Sequence, residues 1–446
     1  MKARSDSRKH VVVIGGGFAG LNFIKRLQNN EYYRVTLVDR NNYNYFTPLL
    51  YQVATSFLEP SSISYPFRKF LRNTGIAFRN ASLQRVDTLI NRVYLSNGEA
   101  LDYDLLVFAA GVKTNFFGNE TVRRNAFSLK GIDDALYMRN EMIKRLEEAA
   151  IEKDPVERQK LLTIVIAGGG ATGVELAGMF AEMKSRVVHT DYPELKDEPI
   201  DVHLVDGLPN LLSAMSDKTH EDAYRVLSKM GVLIHLKTTV TGYENDVVQL
   251  SNGMKINTRT LIWCAGVTAN TFEGISQECL GKNNRMITDE FNKVQGYDNV
   301  YAIGDISIQF HDKEYPKGHP QVAQPAIQQG KALAKNLILL AKDRPMKPFV
   351  YFDRGDMAIV GRSFAVADLF KHKVHLKGLA GLLGWLFIHL VSLVNYNNKI
   401  KTFYNWLVAY ITADQALRMI FNSDARESKV DRKPKAERER PALVEH

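Results

Sequence analysis

A glycine signature that occurs twice sets the limits on how this chain can fold. Val11-Val-Val-Ile-Gly-Gly-Gly-Phe-Ala-Gly20 has a partner at Ile164-Val-Ile-Ala-Gly-Gly-Gly-Ala-Thr-Gly173. Each is a β-branched run followed by G-x-G-x-x-G. Such a run predicts a buried strand, a tight turn and the start of a helix. The first glycine permits the turn, the second lets backbone approach a diphosphate, and the third lets the helix pack on the strand. The diphosphate then rests on free N–H groups at the helix N-terminus. Downstream of the first copy lies Phe108-Ala-Ala-Gly-Val112, and downstream of the second Trp263-Cys-Ala-Gly-Val267. Gly15 and Gly111 are 96 residues apart, Gly168 and Gly266 are 98 apart. Two motifs repeating in one order at nearly the same spacing predict an α/β fold with two Rossmann-like dinucleotide-binding units.

The acids that follow agree. Arg34-Val-Thr-Leu-Val-Asp39 and Asp201-Val-His-Leu-Val-Asp206 read as the next strand of each unit, each ending in a carboxylate suited to a ribose diol. Asp206 would also repel a 2′-phosphate, so NADH is expected over NADPH. With 446 residues, two cysteines and a net charge of +9, the chain has room for about three domains and no disulfide framework. The positive balance suits an anionic partner, but no basic run interleaved with aromatics points to nucleic acid. Residues 1–10 read as a short basic lead-in rather than a signal peptide. No His/Cys cluster predicts a metal, and His389 stands without partner ligands.

Asn299-Val-Tyr-Ala-Ile-Gly-Asp305 resembles the second flavin motif of flavoproteins with two dinucleotide domains, in which the acid meets the FAD ribityl chain. That resemblance assigns FAD to the first unit and the nicotinamide to the second. Phe46-Thr-Pro-Leu-Leu-Tyr-Gln-Val-Ala54, Thr172-Gly-Val-Glu175, Ala323-Gln-Pro-Ala-Ile-Gln-Gln-Gly330 and His389-Leu-Val-Ser-Leu follow in an order that resembles type II NADH dehydrogenase, a single-subunit NADH:quinone oxidoreductase. The likeness spans roughly residues 10–421. The chain departs from it at Tyr51, where proline is frequent, and at Tyr396-Asn-Asn-Lys399, where Phe-Arg-Asn-Arg is frequent.

The resemblance implies hydride transfer from NADH to non-covalent FAD, then two electrons to a quinone, without proton pumping. A soluble flavin reductase with a non-quinone acceptor is the alternative. FAD contacts are expected at Gly15, Gly17, Phe18, Gly20, Asp39, Arg40, Thr47, Ala110, Gly111, Gly304, Asp305, Ala323 and Gln324. NADH contacts are expected at Gly168, Gly170, Gly173, Glu175, Asp206, Ala265 and Gly266. Glu175 is expected to act at the nicotinamide–flavin junction. Gln324 and Gln328, four apart on one helix face, are expected to meet the quinone. Cys264 and Cys279 lack the spacing of a redox pair and read as packing residues.

The expected layout is an FAD-binding domain from 1–115 and 286–345, an NADH-binding domain from 116–285, and a C-terminal anchoring region from 346–421. A charged, disordered tail is expected from 422–446. Residues 378–394 form an uncharged apolar stretch bordered by lysines, followed by an aromatic, helix-like run at 403–411. At 17 residues the stretch only reaches the lower limit for spanning a bilayer. It suits an interfacial anchor on the cytoplasmic face of the membrane, and the resemblance adds a homodimer.

Overall fold

The computed structural model describes residues 7–412 and 418–420. The expected tail at 422–446 and the start of the lead-in lie outside the described residues. The chain opens with β1 (Lys9–Ile14), α1 (Phe18–Arg26) and β2 (Tyr33–Asp39). A short helix α2 (Leu50–Ala54) precedes β3 (Ala77–Asn80), β4 (Leu105–Phe108) and a small strand β5 (Val112–Thr114). The second unit repeats the plan with β6 (Thr163–Ala167), α3 (Ala171–Met183), β7 (Asp201–Val205), α4 (Asp217–Lys229) and β8 (Val232–His235). It closes with β9 (Thr260–Trp263) and the small strand β10 (Val267–Ala269). The chain then returns to the first sheet through β11 (Val300–Ala302) and runs into α5 (Ala323–Leu340).

The first sheet has the order β11-β4-β1-β2-β3 and the second β8-β7-β6-β9. Every neighbouring pair in both is parallel. Parallel sheets are covered on both faces, which explains why Val11, Val12 and Val13 are all fully buried. Each unit also inserts a three-stranded antiparallel meander just before the parallel strand that leads into its Ala-Gly segment, at 83–102 and 240–257. The duplication therefore extends beyond the motifs. The units are joined by an antiparallel pairing of β5 with β10, so the strands that leave the two Ala-Gly segments meet each other.

The C-terminal part is a three-stranded antiparallel sheet, β12 (Gly355–Val360), β13 (Phe364–Leu369) and β14 (Val374–Lys377), then helices α6 (Gly378–Ser392) and α7 (Tyr396–Thr412). A buried polar knot ties it to the second unit. The Asp368 carboxylate is fully buried and accepts from the Ser216 N–H (2.7 Å), the Ser216 and Thr219 hydroxyls (2.9 Å each) and His375 Nδ1 (2.8 Å). Burial pushes this carboxyl up, but the donors win and hold it below its ordinary value. A group lowered in the folded state adds stability above its unfolded pKa and loses it as pH falls through the folded value. Asp368→Asn is therefore expected to destabilise the chain by about 1–3 kcal/mol at pH 7. The gap to wild type should close as the pH drops below about 4. Thermal melting of both proteins across that range checks it; a gap that stays constant with pH contradicts it.

Candidate functional site

The two glycine loops have the same geometry. Gly15 and Gly168 sit at φ of 103° and 114°, a left-handed region that side chains avoid. A Cβ on Gly15 would stand 2.5 Å from the Ala109 carbonyl oxygen, and one on Gly168 2.7 Å from that of Cys264. Gly17 and Gly170 start their helices without a side-chain cap or an acid in the first turn, and a Cβ there would meet nothing within 4 Å. Helices starting after Asn119, Asp154 and Ser216 do carry such caps. The N-termini of α1 and α3 thus keep orphan N–H groups facing open space, which is what a diphosphate needs.

Asp39 and Asp206 close each loop in the same way. Asp39 accepts from the N–H groups of Gly16 (2.7 Å) and Asn41 (2.8 Å). Asp206 accepts from the N–H groups of Gly169 and Leu208. A carboxylate offers about four lone-pair sites, so each retains capacity for a ribose diol. Arg40 follows Asp39 directly, and its carbonyl is held by the Asn80 amide. Ala110 and Gly111 follow β4, Ala265 and Gly266 follow β9, so both segments lie at the C-terminal strand ends where α/β sheets bind ligands.

Gly304 and Asp305 form a single 3-10 turn at the end of β11. Gly304, at φ of 77°, wedges between Ala19 of α1 and Ala326 of α5. Its N–H donates to Gln329 Oε1 at 2.6 Å, an anchor that the sequence reading missed because Gln329 lies off the face of Gln324 and Gln328. Burial raises the Asp305 carboxyl to about 6, opposed by Arg285 and Lys130 nearby. Neither cation was picked out from sequence; both lie far from Asp305 along the chain and carry no motif. A half-buried acid flanked by two cations, beside an uncapped helix start and a second acid, fits the ribityl, diphosphate and ribose of FAD.

Thr47 begins a short 3-10 turn just before α2, and Ala323 begins α5. Phe18, the first residue of α1, packs edge-on against Phe46 (5.6 Å between centroids). Phe46 packs edge-on against His389 of α6 (6.0 Å), which stacks on Trp385 (3.8 Å). An aromatic run therefore brings the C-terminal helices to the first glycine loop. Burial lowers the His389 imidazole to about 4, so the ring is neutral. Its Nδ1 lies 2.8 Å from the Trp385 carbonyl and donates there, since a carbonyl only accepts.

Glu175 lies in the first turns of α3 and is buried. Burial drives its carboxyl well above the ordinary range, with the Ile359 N–H opposing. Gln324 and Gln328 do share one face of α5, but that face holds the backbone entering β12. Gln324 Nε2 donates to the Gly355 carbonyl (2.7 Å); Gln328 donates to Phe352 O (2.9 Å) and accepts from Phe352 N–H (3.0 Å). Each amide keeps one N–H and one lone pair for another partner. Burial pushes the Cys264 thiol up to about 12 and also raises Cys279, so neither is poised as a thiolate.

Residues 9–330 match the pyridine nucleotide-disulphide oxidoreductase family. The chain is 32% identical over 442 residues to the type II NADH:quinone oxidoreductase Ndh of Mycobacterium tuberculosis, covering 95% of this chain and 92% of that one. It is 28% identical over 383 residues to the type II NADH:quinone oxidoreductase of Staphylococcus aureus, covering 82% and 91%. The fold superimposes on NDH2 from Plasmodium falciparum, solved in complex with NADH, with a TM-score of 0.84 at 21% identity over 93% of this chain and all of that one. The chain belongs to the pyridine nucleotide-disulphide oxidoreductase family and, within it, to the type II NADH:quinone oxidoreductases.

Proposed function

We propose that the chain is a peripheral membrane NADH:quinone oxidoreductase whose first unit holds FAD and whose second presents NADH to it. The observation that carries this reading is the β5–β10 pairing. It joins the C-terminal edges of the two parallel sheets, so two equivalent dinucleotide crevices share one junction. When bound, FAD supplies the hydride acceptor and the two-electron carrier between NADH and quinone. The residues of the chain do the rest.

Gly15, Gly17, Phe18 and Gly20 seat one diphosphate, and Gly168, Gly170 and Gly173 seat the other. Asp39 and Asp206 bind the adenosine riboses, with Arg40 beside the first. Asp305 and Gly304 take the ribityl chain. Thr47, Ala110, Gly111, Ala323 and Gln324 line the flavin ring, and Glu175, Ala265 and Gly266 face the nicotinamide. Units 1–115 with 286–345, and 116–285, are the corresponding domains. Glu175 sits where burial raises its carboxyl well above the ordinary range, which suits a group that handles protons at the junction. Gln324 and Gln328 present their remaining N–H groups to a quinone carbonyl while fixing the 352–355 backbone.

This division of labour predicts a split between half-reactions. Gln324→Ala should slow reoxidation of the reduced protein by quinone by about tenfold and leave its reduction by NADH unchanged. Glu175→Gln should slow at least one half-reaction by a similar factor. Stopped-flow absorbance reads both. A Gln324→Ala protein slowed only in reduction contradicts the assignment.

The region 346–421 serves as the membrane foot. Its helix α7 carries a polar stripe on its inward side, beside the buried Trp406 and Ala409. Asn398, Thr402 and Asn405 face inward and hydrogen-bond Ser62 and the Ser64 carbonyl at 2.8–3.1 Å. Tyr396, Ile400, Phe403, Tyr404, Leu407 and Ile411 face outward, exposed. On α6, Leu379, Leu383, Phe387, Ile388 and Val391 are exposed as well. No helix among the described residues is long and apolar enough to cross a membrane. At 15 residues, α6 is about 22 Å long, short of the roughly 30 Å hydrocarbon layer. An outward apolar face bordered by Lys373 and Lys401 suits the cytoplasmic lipid surface, and disfavours the soluble alternative. A homodimer, also implied by the resemblance, would draw on the same region.

A further inference from the structure

A buried hydrogen-bond chain that the proposed reaction does not use runs from the C-terminal helix toward Glu175. Trp406 of α7 donates its indole N–H to Gln52 Oε1 at 2.9 Å, and Gln52 Nε2 donates to the Tyr51 hydroxyl at 2.9 Å. Tyr51 and Gln52 are each 2% exposed and Trp406 4%. The direction of the chain is fixed at its outer end. An indole N–H can only donate, so the Gln52 amide must turn its oxygen to Trp406 and its NH₂ to Tyr51. The Tyr51 oxygen is therefore an acceptor toward Gln52, and its own proton points elsewhere. Helix α2, which carries Tyr51, packs against α3, which carries Glu175, and Glu175 is the carboxylate that acts on the Tyr51 hydroxyl.

We propose that Trp406 and Gln52 orient the Tyr51 O–H toward Glu175 across one bridging water, so that the seating of α7 sets how readily Glu175 gives up its proton. This rests on the reading of Glu175 as the proton-handling group at the junction. Burial keeps the Tyr51 phenol neutral, with its own ionisation pushed well above the ordinary range, so it acts as a donor. A hydroxyl donating toward a carboxylate through a bound water favours the charged form, and a low-dielectric core strengthens that effect. The other groups around α3 are committed elsewhere. Asp222 of α4 pairs with His375 and Lys377, and His203 of β7 with His235 of β8. Glu182, at the far end of α3, pairs with Arg362, whose backbone carbonyl accepts from Tyr410. The Ile359 N–H of β12 bonds Glu175 and opposes the effect of its burial.

The polar stripe of α7 gives the chain its meaning. Asn398, Thr402 and Asn405 clamp α7 to residues 62–64, which fixes Trp406 over Gln52. The outer face of the same helix is the proposed lipid contact. Seating of the membrane foot and the proton affinity of Glu175 are thus mechanically linked through three side chains.

Infrared titration of the FAD-loaded protein tests this, with the Glu175 carboxyl band identified by its loss in Glu175→Gln. Tyr51→Phe, which removes one hydroxyl at nearly constant volume, should move the titration to higher pH by about one unit, a tenfold rise in proton affinity. Trp406→Phe should move it in the same direction, because without the indole N–H the Gln52 amide is free to turn its oxygen to the Tyr51 proton. The double variant should move it no further than Tyr51→Phe alone. Gln52→Leu is a second break in the chain should Trp406→Phe fold poorly, and it too should add nothing to Tyr51→Phe. An unmoved band in Tyr51→Phe, or additive shifts in the double variant, overturns the relay. Unchanged half-reactions in Glu175→Gln would remove the catalytic reading of Glu175 while leaving the relay to stand or fall on the titration.

Discussion

Gly20→Ala is expected to give a colourless chain, whereas Gly173→Ala is expected to give a yellow one that NADH no longer bleaches. The two positions are equivalent: a Cβ on Gly20 would sit on the Gly15 carbonyl oxygen, and one on Gly173 on that of Gly168. Neither clash is with a flexible side chain, so the helix must move away from its strand. That displaces the orphan N–H groups at Gly17 or Gly170 from the diphosphate they serve. Misplacement of about 1 Å in a positioned site costs about 10²-fold in rate. In the first unit the loss falls on a group held throughout turnover, so purified protein should lack flavin absorbance. In the second it falls on the nicotinamide, so flavin content should match wild type while the rate of bleaching by NADH drops about 10²-fold. Absorbance of the purified proteins and stopped-flow reduction read the two effects. Exchange of the phenotypes would reverse the assignment of the units.

The second large effect is expected at the outer face of the C-terminal helices. Leu383→Glu with Phe387→Glu should abolish sedimentation with anionic vesicles while leaving thermal melting near wild type. Both side chains are mostly exposed, at 59% and 67%, and neither is part of the core around Trp385 and Trp406. Withdrawing two such side chains from lipid costs about 2 kcal/mol each, or roughly a thousandfold in partitioning together. Turnover with a short, water-soluble quinone should persist, and turnover with a long-tailed quinone in vesicles should fall. A double variant that still sediments with lipid contradicts the membrane foot, and one that changes only its oligomeric state assigns the face to a second copy.

The parts of this molecule legible in its sequence are the local ones. A glycine at φ of 103°, an acid at a strand end and an uncapped helix start are set within a few residues, so their spacing announces them. The helix carrying Gln324 and Gln328 was legible for the same reason. What that face touches was not, because the 352–355 backbone reaches it from another part of the chain. Gln329, Lys130 and Arg285 went unread because each acts on Gly304 or Asp305 only after the fold closes. The two faces of α7 were half legible. The aromatic run at 403–411 marked a helix-like segment, but the inward stripe of Asn398, Thr402 and Asn405 makes sense only against Ser62 and Ser64. Solvent-facing asparagines are the ordinary reading of such residues.

The most direct test of the account is the visible spectrum of the purified full chain, followed through two additions under anaerobic conditions. Flavin absorbance should be present at the outset at one equivalent per chain, vanish on addition of stoichiometric NADH, and return in full on addition of a soluble quinone. A chain that is colourless and takes up no FAD, or whose bleached flavin is left reduced by quinone, would contradict the claim that two matched crevices pass electrons across one junction.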